Sequence, residues 1–188
     1  MTRPTAPVIS GGALRGVRLR VPDGWNTRPT RTRVRAAIFD MLGARVQGAR
    51  VLDLYAGSGA LGLDALSRGA AHATFVERDP RALVALEANL ATCRVGPDRS
   101  RILRVDAQRL EAAADACYDL VLADPPFALR EPMPPGLSAT GVLSRDARLV
   151  LECPCDRVTP VRDAAWTLVR RREYGVSSVC LYRRSGAA

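Results

Sequence analysis

One segment constrains the fold of this 188-residue chain more than any other, the run Val51-Leu-Asp-Leu-Tyr-Ala-Gly-Ser-Gly-Ala-Leu-Gly62. It has the pattern of an apolar strand, a glycine turn and the beginning of a helix. Its glycines spell GxGxxG, a spacing that dinucleotide sites share, because the backbone must approach a ligand closely where a Cβ would obstruct it. The segment therefore predicts an α/β fold with a cofactor beside this turn.

Short apolar strands alternate with helical stretches from residue 50 onward. The predicted strands are 50–54, 73–76, 101–105, 118–123 and 148–152, and the predicted helices are about 60–69, 80–94, 108–115 and a glycine-broken 137–144. This alternation is typical of a parallel sheet covered on both faces by right-handed crossovers. The last two strands, 166–172 and 177–182, flank a short turn and predict an antiparallel hairpin that closes the sheet.

The N-terminal 50 residues carry most of the net charge. The chain has a balance of +9, and residues 1–50 hold ten arginines and two acids, a local balance of +8. A β-hairpin around Gly11-Gly12 over residues 8–21, followed by a helix over about 31–43, is predicted there. Such a basic segment favours a polyanionic partner, with a solubilising segment as the alternative. The arginines that we assign to contact with this partner are Arg15, Arg18, Arg20, Arg28, Arg31 and Arg35.

Asp53 separates two interpretations of the glycine turn. It stands four residues before Gly57, near the end of the strand. A carboxylate there is unfavourable beside a pyrophosphate, but S-adenosylmethionine (AdoMet) carries an ammonium group and a cationic sulfur and no phosphate. No hydride-transfer constellation follows downstream, which also argues against an NAD-dependent oxidoreductase. The residue therefore favours AdoMet.

Two further carboxylates end predicted strands. Glu77 can accept both ribose hydroxyls of the cofactor, a device that NAD sites share. Asp106 can accept the adenine amino group or can instead cap the following helix. The residues that we assign to the cofactor site are Asp53, Tyr55, Gly57, Gly59, Glu77, Arg78, Asp106 and Ala107.

The tetrad Asp124-Pro125-Pro126-Phe127 follows the fourth predicted strand and is the candidate catalytic site. The two prolines are rigid and donate no N–H, so the Asp124 side chain and the Pro125 carbonyl form a pair of acceptors. An exocyclic base amine offers two N–H donors to such a pair, which directs its lone pair at the methyl donor. Phe127 can stack on a base that is single-stranded or flipped out.

These features predict a Rossmann-like class I AdoMet-dependent methyltransferase with a mostly parallel sheet. Residues 1–29 are expected to form a basic arm that binds the polyanionic partner, and residues 30–188 the methyltransferase domain. The tetrad alone leaves three functions open: methylation of a guanine N2 amine in RNA, methylation of adenine N6 or cytosine N4 in DNA, and RNA-binding assembly with secondary methylation. Five cysteines at poor spacing predict buried reduced thiols and no metal site. The absence of a secretion signal and of long apolar runs predicts a cytoplasmic chain outside the membrane.

The chain resembles the bacterial 16S ribosomal RNA guanine-N2 methyltransferase family over nearly its whole length. The resemblance rests on Ile9–Gly16, on Thr27-Arg-Pro-Thr30 with the helix that follows, and on the glycine turn and tetrad. Thr32 and Asp40 depart from the family pattern, where aspartate and asparagine are usual. The resemblance implies a monomeric enzyme that methylates one guanine of 16S rRNA in a small ribosomal subunit already carrying proteins. It also implies that the partner of the basic arm and of its arginines is RNA.

Overall fold

A seven-stranded sheet in the order β3-β2-β1-β4-β5-β7-β6 forms the centre of the computed structural model. The structure describes residues 6–22, 32–110, 117–134, 137–139, 141–156, 161 and 163–185. The strands are β1 Arg50–Leu54, β2 His72–Val76, β3 Ser100–Leu103, β4 Tyr118–Ala123, β5 Leu143–Pro154, β6 Trp166–Tyr174 and β7 Ser177–Arg184. The helices are α1 Thr32–Leu42, α2 Ala60–Ser67 and α3 Pro80–Thr92.

The first five strands are parallel, and β7 pairs antiparallel with both β5 and β6. This confirms the predicted mostly parallel sheet with a C-terminal antiparallel hairpin. Apart from Asp53 and Thr74, the buried side chains of β1, β2 and β4 are apolar on both faces, as a sheet covered on two sides requires. One face packs against α1, α2 and α3, and its cluster includes Phe75, Leu122 and Val150. The opposite cluster includes Leu54, Val121 and Leu151.

Two predicted helices differ from the structure. The glycine-broken helix at 137–144 is wrong: a 3₁₀ turn covers only Leu137–Ala139, and β5 begins at Leu143. The helix at 108–115 begins instead as a 3₁₀ turn over Ala107–Arg109, and residues 111–116 lie outside the described part of the chain. In the stretch 137–144 the sequence has no clear helical period, and the pairing of Leu143 with Tyr118 of β4 decided the conformation of its end.

The N-terminal hairpin has a wider turn than the sequence predicts. A single antiparallel bridge joins Val8 to Arg18, and the turn runs over residues 11–16. The Ala13 N–H donates to the Ser67 carbonyl at 2.8 Å, so this turn packs on the end of α2. A Cβ at Gly12 would lie 2.0 Å from the same carbonyl oxygen, which explains why a glycine stands there.

The same segment also contributes to the core. Ile9 and Leu19 are each 1% exposed and join the cluster beneath the three helices. The division into an arm (1–29) and a domain (30–188) therefore stays a prediction, with part of the arm packed as core. Within the described residues, no helix is long and apolar enough to cross a bilayer.

Candidate active site

The carboxyl ends of β1, β2 and β4 meet at one edge of the sheet. Leu54 lies beside Val76 on one side and beside Ala123 on the other, so the residues that follow these three strands are neighbours. The chain leaves β1 toward β2 in one direction and returns to β4 in the other. A crevice forms at such a reversal of strand order, and open α/β sheets bind their ligands there.

The glycine turn is held by packing against the protein itself. Gly59 has a φ of +82°, and a Cβ on it would lie 2.4 Å from Leu86 Cδ1. A Cβ on Gly62 would lie 2.3 Å from the ring of Phe75. These two glycines let α2 sit close to α3 and β2, so the expectation that each glycine makes room for a ligand needs correction at these positions. Gly57, with a φ of +56°, turns its N–H toward Glu77 and donates to Oε2 at 2.8 Å.

Asp53 is a buried carboxyl group beneath this turn. Its side chain is 1% exposed, and Oδ2 accepts the N–H of Gly62 at 2.8 Å. Oδ1 is buried and makes no hydrogen bond to the described residues. Burial raises the pKa of Asp53 to about 8, and the negative charges of Asp124 and Glu77 act in the same direction. A cation placed against Oδ1 would restore the ionised form.

Glu77 is oriented by backbone donors. Besides the Gly57 N–H, it receives the N–H groups of Arg78 and Asp79, both at 2.7 Å on Oε1. Asp79 in turn caps α3 by accepting the Arg81 N–H, as is common for an aspartate directly before a helix. Three N–H donors fix the Glu77 carboxylate at the edge of the crevice and leave lone pairs for a ligand hydroxyl.

Asp106 performs the capping role that the sequence left open. Its Oδ1 accepts the Gln108 N–H at 3.0 Å and caps the 3₁₀ turn that contains the buried Ala107. Its Oδ2 pairs with the exposed Arg78 at 2.6 Å. Asp106 and Arg78, both predicted to bind the cofactor, are thus brought together across the ends of β2 and β3.

Tyr55 links the cofactor side of the crevice to the loop that follows the tetrad. It adopts a φ of +59°, a rare conformation for a residue other than glycine. Its hydroxyl donates to the Pro132 carbonyl at 2.7 Å and accepts from Gln108 Nε2 at 2.5 Å. Burial raises the pKa of the Tyr55 phenol, which keeps this donor protonated. Sequence reasoning missed Gln108 and Pro132, because neither belongs to a motif.

The tetrad begins at the end of β4, beside the end of β1 from which the glycine turn starts. Asp124 follows the last residue of β4 and is close enough to raise the pKa of Asp53. Pro125 is buried, which anchors the loop, and the Pro126 carbonyl accepts the Leu129 N–H at 2.9 Å. Phe127 is 41% exposed, which is high for an aromatic side chain. The tetrad thus places the Asp124 carboxyl group and an accessible aromatic ring close to the buried Asp53 carboxyl group.

Comparison with known proteins agrees with this geometry. Residues 8–183 match the family described as Conserved hypothetical protein 95. The chain is 38% identical to the ribosomal RNA small subunit methyltransferase D of Escherichia coli (strain K12), over 94% of this chain and 89% of that protein. The chain belongs to the ribosomal RNA small subunit methyltransferase D family.

Other members of the family show the same extent of similarity. The protein of that name from Haemophilus influenzae is 31% identical over 93% of this chain and 92% of its own length. The solved structure of yhhF from Escherichia coli superposes with a TM-score of 0.80 at 36% identity, covering 96% of this chain and 98% of that one. The predicted class I methyltransferase fold and the predicted family are thereby confirmed.

The arginines predicted to contact RNA divide into three groups. Arg15, Arg18 and Arg20 are exposed on the N-terminal segment. Arg28 and Arg31, together with the family segment Thr27–Thr30, lie outside the described residues. Arg35 is 0% exposed, which corrects its predicted place on an RNA-binding surface.

Arg35 instead ties the N-terminal segment to the fold. Its Nε donates to Asp64 Oδ2 at 2.8 Å, and its Nη2 donates to the Val8 carbonyl. Asp64 Oδ1 also accepts the Ser10 N–H at 2.7 Å and Arg68 Nη1 at 2.7 Å. Arg35 satisfies this buried carboxylate, and the helical spacing in the sequence could not distinguish that role from a surface role.

The cysteines are less uniform than the sequence predicts. Cys93, Cys153 and Cys180 are buried, but Cys117 is exposed and Cys155 is half-buried. All five are free thiols, and Cys117 immediately precedes the first residue of β4, where the backbone enters the sheet from the surface. The expectation of burial is therefore wrong for Cys117.

Proposed function

We propose that this chain, an AdoMet-dependent methyltransferase, methylates the N2 amine of a guanine in the 16S rRNA of the small ribosomal subunit. One observation carries the proposal. The buried Asp53 carboxyl group, whose ionised form a cation would stabilise, lies near Asp124-Pro-Pro-Phe127 at the ends of two neighbouring strands. Membership of the family supports the choice of ribosomal RNA. We further infer that it acts as a monomer, in the cytoplasm, on partly or fully assembled subunits.

The residues at the crevice fit AdoMet. The buried Oδ1 of Asp53 would receive the ammonium group of the methionine moiety, because a cation removes the cost of ionising this carboxyl group. Glu77, held by three N–H donors, would receive the ribose hydroxyls. Asp106 and Ala107 would border the adenine, with Tyr55, Arg78 and the backbone of Gly57 and Gly59 as neighbours. When bound, AdoMet supplies an electrophilic methyl group on a cationic sulfur.

Asp124 and the Pro125 carbonyl would hold the two hydrogens of the guanine amine. Holding both hydrogens would tilt the amine nitrogen from planar toward tetrahedral geometry. Its lone pair would then point toward the methyl group. The amine nitrogen would gain the methyl group that the sulfur of AdoMet gives up and would lose one proton, which Asp124 would accept. Phe127 would stack on the extruded base, and Arg15, Arg18 and Arg20 would contact phosphates.

Labelled methyl transfer to small subunits, naked 16S rRNA and duplex DNA, followed by nucleoside analysis, tests the proposal. We expect N2-methylguanine in RNA. Asp124→Ala should lower turnover at least about 100-fold and preserve AdoMet binding, because the lost group acts on the acceptor amine. Asp119→Ala is the matched control, since Asp119 lies at the other end of β4 and accepts the Arg50 N–H. Finding N6-methyladenine in DNA and no N2-methylguanine in RNA would refute the proposal.

A further inference from the structure

Glu152 occupies the strand position next to Asp124. In the pairing of β4 with β5, Ala123 lies beside Leu151, so the following residues on the two strands are Asp124 and Glu152. Neighbouring strands are about 4.8 Å apart. The sequence offered no motif for Glu152, and only the register between these two strands brings it to the tetrad.

Glu152 also shares a face of the sheet with Asp53. Leu122 and Val150 are paired and both pack in the cluster beneath the helices. Because side chains alternate along a strand, Glu152, two positions beyond Val150 on β5, belongs to that same face. Asp124 comes two positions after Leu122, just past the end of β4, and is close enough to raise the pKa of Asp53. Glu152 lies opposite Val179 of β7, which packs in this cluster too. Asp53 lies on this face as well, because it is paired with Phe75 and Leu122.

Glu152 is 7% exposed, a degree of burial that acidic side chains rarely reach. Its carboxyl group is therefore shielded from bulk water. In such a low-dielectric environment a hydrogen bond to a ligand discriminates more strongly than it does in water. A carboxylate can only accept hydrogen bonds. A base that presents a donor next to its exocyclic amine would be accepted at this position, and a base that presents an acceptor there would be repelled.

Guanine carries such a donor, N1–H, directly beside the N2 amine, whereas adenine carries the acceptor N1 beside its amine. We propose that Glu152 accepts the N1–H of the target base while Asp124 and the Pro125 carbonyl hold the amine, and that Glu152 thereby selects guanine. This inference rests on the proposed function and names the residue that determines the base. Asp124 serves any exocyclic amine, and Glu152 restricts the choice.

Reconstituted small subunits carrying guanine or 2-aminopurine at the mapped target test this, since 2-aminopurine keeps the 2-amino group and lacks N1–H. The wild-type enzyme should methylate the guanine subunits at least about 10-fold faster in single-turnover reactions. Glu152→Ala should slow guanine methylation by a similar factor and should methylate the two bases at similar rates. Removing the Glu152 side chain and removing N1–H abolish the same hydrogen bond, so their effects on the rate should not add. Glu152→Gln should recover part of the rate, because its amide oxygen can accept N1–H.

The controls separate recognition from a purely structural role. Asp146→Asn, an exposed acid earlier on β5, should leave both rates unchanged. AdoMet affinity of Glu152→Gln should stay within about 2-fold of wild type, since the residue contacts the acceptor and not the donor. The inference would be overturned if Glu152→Gln slowed methylation of guanine and of 2-aminopurine by the same factor. It would also be overturned if the wild-type enzyme methylated the two bases at equal rates. If the wild type fails to methylate guanine in any subunit, the proposed function fails first, and the assignment of Glu152 with it.

Discussion

Replacing Asp53 by asparagine should stabilise the free protein at neutral pH and weaken AdoMet binding. The substitution preserves the shape of the side chain and an oxygen that can accept the Gly62 N–H. It removes a carboxyl group whose pKa is about 8 in the folded chain, against an ordinary value of 3.8. Functional sites commonly contain groups that lower the folding stability of the free protein but favour ligand binding.

The magnitude follows from the difference in pKa. Below pH 4 the carboxyl group of Asp53 is protonated in both the folded and the unfolded chain, and its pKa shift has no effect. Between about pH 4 and pH 8 the unfolded chain ionises and the folded chain does not, so stability falls as pH rises. At pH 7 the loss amounts to about 4 kcal/mol. The new amide N–H groups of asparagine cost about 1–3 kcal/mol if left without partners, so the net gain at pH 7 is about 1–3 kcal/mol.

Urea unfolding of wild type and Asp53→Asn at pH 5 and pH 7.5, without AdoMet, measures this directly. The difference in unfolding free energy should shift in favour of the variant by about 3 kcal/mol between the two pH values. Calorimetric titration should show AdoMet affinity reduced at least about 10-fold, because a hydrogen bond to a charged group is lost. Binding to the wild type should release a proton, and binding to the variant should not.

Asp64→Asn is the matched comparison, because Asp64 is also fully buried but has two arginine partners. Removing that charge leaves Arg35 buried without its carboxylate and should destabilise the fold by about 3–5 kcal/mol. The same substitution is therefore expected to have opposite signs at Asp53 and Asp64 at neutral pH. If Asp53→Asn lowers stability at pH 7.5, or if its difference from wild type is independent of pH, the reasoning about the Asp53 carboxyl group is wrong.

Three further outcomes are expected. Ile9→Ala should lower the unfolding free energy by about 2–5 kcal/mol in urea titrations, because Ile9 is 1% exposed in the core. No change in the unfolding free energy would mean that the N-terminal segment does not pack against the domain. Gly59→Ala should lower the melting temperature and weaken AdoMet binding, since its Cβ would lie 2.4 Å from Leu86 at a positive φ; unchanged values for both would contradict the packing described. Charge reversal of Arg15 and Arg18 together should weaken RNA binding and flatten its dependence on salt, measured by filter binding at several salt concentrations, with AdoMet affinity unchanged.

Much of the fold could be predicted from the sequence. Strands β1 and β4 have the bounds that their apolar runs predict, since a strand buried on both faces has little freedom in composition. Strand β5 is longer than predicted, Leu143–Pro154, because its first residues include exposed polar side chains that give no apolar run, and Leu143 pairs with Tyr118 of β4. The widened turn at residues 11–16 likewise depends on the end of α2, which is distant in sequence.

The sequence by itself determined the chemistry of the site. Strand, glycine turn and helix at Val51–Gly62 specify local backbone, and the residues Asp53, Glu77 and Asp124 follow or end strands whose parallel order brings their ends together. These inferences need only short-range pattern and one rule of topology.

The tertiary structure alone decided what depends on contacts between distant residues. It placed Arg35 in the core with Asp64 and left Arg15 and Arg18 on the surface, although all three are arginines in one basic segment. It also set Glu152 beside Asp124 through strand register, which no local pattern encodes. Whether a charged group is buried and paired depends on which residues, distant in sequence, become its neighbours. Those neighbours are set by the tertiary fold and not by the local sequence.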